Sequence, residues 1–299
     1  VSLDAGAVST GRAWWIAARP RTLPVSLAPV VVGTAVAIGE GRARPGPALA
    51  AALGALLLQL VSNFSNDLFD FEKGADTAER IGPPRVAQLG LLTPGAIRVG
   101  IALTVLAALL VGLYLVAVAG WPVVVVGLLS IAAALAYTGG PWPFGYKGLG
   151  DLAVFVFFGV VAVTGTHYVQ ALSLSGAALA ASVPVGALAT AILVVNNVRD
   201  IDTDRAAGKR TLAVRLGRSG ARAEYALLIG VAFAAPAVFA WMLDRSLFVL
   251  LPIVLLPRAI SLVRTVGTRT DGPSLNEALA GTAQLVLAYA VLLAVGWLL

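Results

Sequence analysis

Apolar residues run through this chain in long blocks, and the polar residues gather in the gaps between them. A helix needs about 20 mostly apolar residues to cross a bilayer. Nine such blocks are predicted as spanning helices, at 23–39, 47–68, 96–118, 120–138, 149–172, 177–198, 221–243, 246–265 and 275–298. Two gaps are very short and neutral: Gly120 with Trp121 and Pro122, and Ser173 to Ser175. Turns that short force the flanking helices to be antiparallel neighbours. No low-complexity linker or second compositional block interrupts the series. Residues 1–299 therefore read as a single membrane-embedded, all-α domain.

Composition supports the membrane reading. Charged residues make up 12% of the 299, about half the share usual in a soluble domain, and mean hydropathy is +0.91. The chain has no cysteine, which excludes disulfides and thiolate chemistry, and one histidine, His167, which excludes a His-rich metal site. Any metal site must then use oxygen ligands, which favours a hard ion such as magnesium. His167 lies in an apolar block and reads as a packed, hydrogen-bonded neutral residue. Val1 to Arg21 carries only a short apolar patch and lacks the layout of a cleavable signal peptide. The first helix is expected to act as the insertion signal.

The net charge of +6 raises the question of a nucleic-acid or anionic-lipid partner. Its distribution answers it. With nine spans and the N-terminus in the cytoplasm, 18 of the 21 lysines and arginines lie inside; only Arg42, Arg44 and Arg245 lie outside. That asymmetry is the positive-inside pattern. It predicts a multi-pass protein of the inner or plasma membrane, N-terminus in and C-terminus out, with no nucleic-acid partner.

The acids are also uneven. Eight of the 15 fall in two clusters. The first runs from Asn63 to Glu79 and holds Asp67, Asp70, Glu72 and Asp76; the second holds Asn196, Asn197, Asp200, Asp202 and Asp204. Asn63 and Asp67 are four apart, as are Asn66 and Asp70, and Asn196, Asp200 and Asp204 continue the same spacing. Residues four apart share one helix face. Each cluster thus presents an oxygen-rich stripe near the C-terminal end of a predicted helix, four spans apart and on the same side of the membrane. This is a coarse internal echo of the kind a duplication leaves. Solvated helix ends are the plain explanation, but acids at a helix C-terminus oppose its dipole. Four asparagines toward the membrane are costly without partners. Carboxylates facing each other across a bundle would hold two or more magnesium ions, each taking one or two carboxylates plus substrate phosphate. A diphosphate bridged in that way is a good leaving group.

Several stretches carry a specific resemblance: Arg19-Pro20-Arg21-Thr22-Leu23-Pro24, Asn66-Asp67 with Asp70, Gly74 and Asp76, and Gly148-Leu149-Gly150-Asp151. Gly165-Thr166-His167-Tyr168-Val169-Gln170 and the long run from Asn196 to Gly217 continue it. Over essentially its whole length the chain resembles the UbiA superfamily of membrane-embedded aromatic prenyltransferases. It is most similar to the branch acting on 1,4-dihydroxy-2-naphthoate in menaquinone biosynthesis. Gly74 stands where the wider superfamily often has an aspartate, a departure that this branch shares. Either Asp76 or Glu72 would then supply the outer ligand.

The resemblance implies nine helices around a central cavity, with motif-bearing loops on the cytoplasmic side. It implies transfer of a polyprenyl group from a magnesium-bound polyprenyl diphosphate to the naphthoate, with loss of CO2 and diphosphate, giving demethylmenaquinone. Asp67, Asp70, Asp200 and Asp204 would be catalytic. Asn66, Asp67, Asp70 and Asp76 would hold one metal, and Asn196, Asp200 and Asp204 another. Lys147, Arg205 and Lys209 would contact diphosphate, Lys147 from a glycine-flanked loop suited to close approach. Asn197 would join the substrate contacts, and Arg21 would meet the acceptor carboxylate. Tyr137, Tyr146 and Tyr168 would line the cavity, where aromatic faces stabilise a carbocation. Homogentisate or 4-hydroxybenzoate are alternative acceptors. From another class, a cation-coupled transporter also uses intramembrane carboxylates, but it needs broken helices near mid-membrane, whereas these acids sit at helix ends on one side.

Overall fold

The computed structural model describes residues 8–75, 81–243 and 246–299, and every regular element among them is helical. Chain order gives α1 (Thr10–Ala18), α2 (Leu23–Gly39), α3 (Pro45–Glu72), α4 (Pro94–Ala119), α5 (Pro122–Ala136) and α6 (Gly150–Ala171). Then follow α7 (Gly176–Arg199), a short α8 (Ile201–Ala206), α9 (Leu212–Met242), α10 (Leu247–Thr268) and α11 (Gly272–Leu298). Local chemistry sets the starts. Pro45, Pro94 and Pro122 open α3, α4 and α5, where a missing N–H costs nothing. The side chains of Thr93, Ser175, Thr211 and Asp271 accept hydrogen bonds from the amides of Ala96, Ala178, Val214 and Ser274. Each of these caps satisfies one orphan donor of its helix.

Each of the nine predicted blocks coincides with a helix, but not every one is a full span. Among the described residues, α3, α4, α6, α7, α9, α10 and α11 are long and apolar enough by themselves. An eighth arises only if α1 and α2, bent by 50° at their junction, count together. The helix α5 has 15 residues, about 22 Å at 1.5 Å per residue, against a hydrocarbon core of about 30 Å. The Thr138-Gly139-Gly140 turn ends it early. α9 is broken near its start, where Gly217 takes φ 72° and ψ 172°, a backbone that favours glycine.

The short neutral turns do pair neighbours: α4 packs on α5, and α6 on α7. α7 is buried over most of its length and lies at the centre, as expected of a helix that is apolar all round. α4 turns Leu103, Leu106, Leu110 and Leu113 outward, which suits lipid. Where α6 crosses α7, a Cβ on Gly159 would come within 2.6 Å of Gly186 Cα. Two glycines are what lets the backbones meet so closely. Gly159 sits in a π-helical stretch, Phe155–Val161, inside α6.

Candidate active site

A cavity of about 1770 Å3 opens within the bundle. Its wall is apolar over much of its extent, with Leu58, Val111, Leu115, Phe157 and Phe158 among the lining residues. Its polar lining includes Asp70, Asp200, Asp204, Asn196 and Lys209, together with Arg19 and Arg85.

The C-terminal turns of α3 supply the first acidic cluster. Asp67 and Asp70 are both buried, and a buried carboxylate needs paired donors. Arg85 meets that need for both. It donates from Nη1 to Asp67 Oδ1 at 2.5 Å and from Nη2 to Asp70 Oδ2 at 3.2 Å. Arg19 adds a bond to Asp67 Oδ1 at 2.8 Å, and the Val86 amide one to Oδ2 at 3.3 Å. Arg19 reaches there from a left-handed backbone, φ 55° and ψ 64°, at the end of α1. Such a pose in a non-glycine residue is worth noting, since backbone strain tends to collect at functional sites. Asp70 Oδ1 receives the Tyr146 hydroxyl and, at 3.1 Å, Lys209 Nζ. Lys73 lies 5.1 Å from the Tyr146 ring centroid and donates to the Thr138 carbonyl. Burial pulls the Lys73 ammonium below its usual range; Asp70 opposes that and neighbouring Lys209 adds to it.

The end of α7 supplies the second cluster. Arg199, whose side chain is fully buried, donates to both oxygens of Asp200 at 2.7 and 2.6 Å. It also donates to Asn196 Oδ1 at 2.7 Å and to Asn276 Oδ1 at 2.8 Å. Lys209 joins the two clusters. Its Nζ stands 3.1 Å from Asp70 Oδ1 and 4.0 Å from Asp204 Oδ1, with the Tyr146 ring centroid 4.6 Å away.

The remaining expected residues divide. Arg21, Asn66, Tyr137, Tyr146, Asn196 and Asn197 line the cavity, and Tyr168 does so too while donating to the Ala119 carbonyl. Asp67 lies behind the wall, holding arginines. Lys147 and Arg205 are exposed and are not among the lining residues. The Lys147 carbonyl accepts from Arg215, and Arg205 lies 3.6 Å from Asp202. Glu72 pairs with Arg98 away from the cavity. Asp76, Glu79, Arg80 and Arg245 lie outside the described residues. His167 is buried, with Nε2 2.8 Å from Glu40 Oε2. Sequence reasoning passed over Arg19, Arg85, Arg199 and Asn276. The only signal for Arg85 was its place after Pro83-Pro84, and Arg19 stood unselected beside Arg21 in a matched stretch.

A helical bundle that crosses the membrane several times and encloses a cavity with an apolar wall and a polar lining of acids, amides, arginines and a lysine defines an integral membrane protein for an amphiphilic ligand. The chain belongs to the UbiA prenyltransferase family, whose model matches residues 26–279. It is 39% identical over 295 residues to the 1,4-dihydroxy-2-naphthoate octaprenyltransferase of Escherichia coli, covering 97% of this chain and 96% of that one. To the 1,4-dihydroxy-2-naphthoate octaprenyltransferase of Mycobacterium tuberculosis it is 41% identical over 280 residues, covering 93% and 94%. The solved structure of a UbiA homolog from Archaeoglobus fulgidus bound to DMAPP and Mg2+ superposes with a TM-score of 0.65 at 16% identity. That match covers 94% of this chain and 99% of the other.

Proposed function

We propose that this protein transfers a polyprenyl group from an allylic prenyl diphosphate to 1,4-dihydroxy-2-naphthoate, releasing CO2 and diphosphate and giving demethylmenaquinone. The whole chain, 1–299, acts as one prenyltransferase unit in the inner or plasma membrane. The observation that carries the reading is the cavity itself, in which both acidic clusters line the same space as a long apolar wall. The relatives named for naphthoate octaprenyl transfer, matched over nearly their full length, support the choice of acceptor.

The polar residues suit magnesium. All their ligating atoms are oxygens, and a cation already stands between the clusters in the form of Lys209 Nζ. Among the described residues no three acidic groups are close enough to hold a metal alone. Magnesium needs only one or two carboxylates, with water and phosphate completing its shell. Asp70 with Asn66 would hold one ion and Asp200 and Asp204 with Asn196 another, and Asp76 stays a candidate outer ligand of the first. Arg199 takes one bonding position on each Asp200 oxygen, and an ionised carboxylate has about four. Bound magnesium supplies Lewis-acid stabilisation of charge on the departing diphosphate.

The chain's own groups do the rest. Lys209 turns from the carboxylates to a diphosphate oxygen, and the Tyr146 and Tyr137 rings face the allylic carbon as positive charge develops there. Arg21 meets the acceptor carboxylate, while the apolar wall takes the tail and keeps water from the cation. Asp67 acts by aiming Arg19 and Arg85.

Purified protein supplied with one prenyl diphosphate, magnesium and, in turn, dihydroxynaphthoate, homogentisate and 4-hydroxybenzoate tests the assignment by mass spectrometry. Decarboxylated, prenylated naphthoate is the expected product. Turnover of another acceptor with none of naphthoate overturns the acceptor, and absence of magnesium-dependent diphosphate release overturns the chemistry.

The lysines give a sharper comparison. Lys209→Ala is expected to lower kcat/KM by about 10–150-fold, the value of a charge-assisted contact. Lys147→Ala is expected to stay within about threefold, because an exposed pair or contact contributes little. Steady-state kinetics on the two variants decide it, and equal losses would return Lys147 to the diphosphate site. Orientation rests on the 18-to-3 charge split. A reporter that works only in the cytoplasm, fused after Leu299, should stay silent; a strong signal would mean the spans are miscounted.

A further inference from the structure

The two acidic clusters are held from behind by different arginines, and one side chain connects the two supports. Asn276 lies in the first turns of α11 and lines the cavity. Its Oδ1 accepts from Arg199 Nη1 at 2.8 Å, and Arg199 fixes Asp200 and Asn196. Its Nδ2 donates to the Ile81 carbonyl at 3.3 Å. Ile81 touches the same helix face one turn earlier, for a Cβ on Gly272 would lie 1.9 Å from Ile81 Cγ2. Positions 272 and 276 stack four apart. From Ile81 the chain runs through Gly82, Pro83 and Pro84 to Arg85. Two prolines with fixed φ make that link stiff, so the seat of Ile81 sets the position of the Arg85 guanidinium on Asp67 and Asp70.

We propose that Asn276 is a positioning residue for the diphosphate site, which ties the Arg85 loop to Arg199 and so sets the spacing between the two acidic clusters. The proposal rests on the prenyl-diphosphate reading above. Its chemistry is that of a primary amide with one acceptor and two donors, of which the acceptor serves one cluster and a donor the other. A substituent that keeps only the acceptor should release only the loop.

Asn276→Asp does this, since it can still accept from Arg199 but loses the donor to Ile81. Asn276→Ala loses both. In detergent-purified protein with magnesium, naphthoate and a prenyl diphosphate, Asn276→Asp should raise the KM for the diphosphate substrate about 3–10-fold, the scale of one hydrogen bond. Its kcat should change by less than about twofold, whereas Asn276→Ala should lower kcat as well. Hydrogen exchange on ligand-free protein supplies a readout that needs no turnover. The Val86 and Leu91 amides, which bond to Asp67 Oδ2 and the Val86 carbonyl, should exchange faster in both variants. Wild-type KM together with wild-type exchange in Asn276→Asp overturns the proposal, as does a uniform fall in kcat with KM unmoved. If the wild-type chain moves no prenyl group, the functional reading fails instead, and the exchange result still decides whether Asn276 seats the loop. Should Asn276→Ala fail to fold, Asn276→Asp alone decides.

Discussion

Turnover in Asp70→Ala is expected to fall by about 100-fold or more, the scale of removing a major electrostatic stabiliser from an active site. Three site side chains converge on Asp70: Arg85, Lys209 and the Tyr146 hydroxyl all point at it. Without it these groups lose their common anchor, and a proposed magnesium ligand is lost as well. Asp70→Asn separates the two effects. It keeps an oxygen for Tyr146 and Lys209 but removes the charge that would hold a divalent ion. Its thermal unfolding in detergent should be lowered less than that of Asp70→Ala, while its turnover falls with that of Asp70→Ala. Wild-type turnover in Asp70→Asn would rule out a catalytic role for the first cluster.

Arg199→Ala is expected to be the most destabilising single change at the site, by about 3–5 kcal/mol, because it strips the partner from a buried carboxylate. Arg199 is fully buried and donates to Asp200, Asn196 and Asn276 at once. The loss should reflect the charge left behind more than the strength of the bonds removed. Combining Arg199→Met with Asp200→Asn removes both charges and keeps similar volume, so much of the stability should return. Turnover should not return, since the carboxylate proposed for magnesium is gone. Equilibrium unfolding of the single and double variants, set beside their kinetics, measures both quantities. If the double variant is no more stable than Arg199→Ala, the charge argument is wrong.

Much of the bundle was legible because burial in lipid demands unbroken apolar runs, and those are visible in sequence. Lengths were less so. The α5 block, 120–138, was expected to be a full span, yet turn residues after Ala136 cut the helix to 15. The acids were legible because charge near a membrane is rare enough to stand out. What holds them was not. Arg19 and Arg85 lie 48 and 18 residues from Asp67, and Asn276 lies 77 from Arg199. No periodicity links residues that meet only through folding. In the count of inside cations, Arg85 and Arg199 looked like topology signals, although each grips one acidic cluster. The echo between the two clusters extends to these arginines. Lys147 is a different case. Glycines on both sides suggested a phosphate loop, but that loop uses its backbone: Arg210 N–H donates to the Tyr146 carbonyl and Arg215 to the Lys147 carbonyl.

The π-helical stretch in α6 has a consequence for how this helix tolerates change in length. At its end the Ala162 amide reaches the Phe157 carbonyl, five residues back. Wider turns of this kind accommodate more residues per turn than an α-helix does, so Phe155–Val161 acts as a phase shifter between the two halves of α6. Below it, Asp151 and Ala153 keep one angular setting; above it, Thr166, His167 and Gln170 keep another. An α-helix turns by about 100° per residue. Losing one residue within the stretch and relaxing it to α geometry would keep the two halves near their present angular relation, whereas losing one from an α-helical part of α6 would rotate one half against the other by about that angle. A loss of that second kind would swing His167 away from Glu40, or take Phe157 and Phe158 out of the cavity wall, without any contact having been mutated.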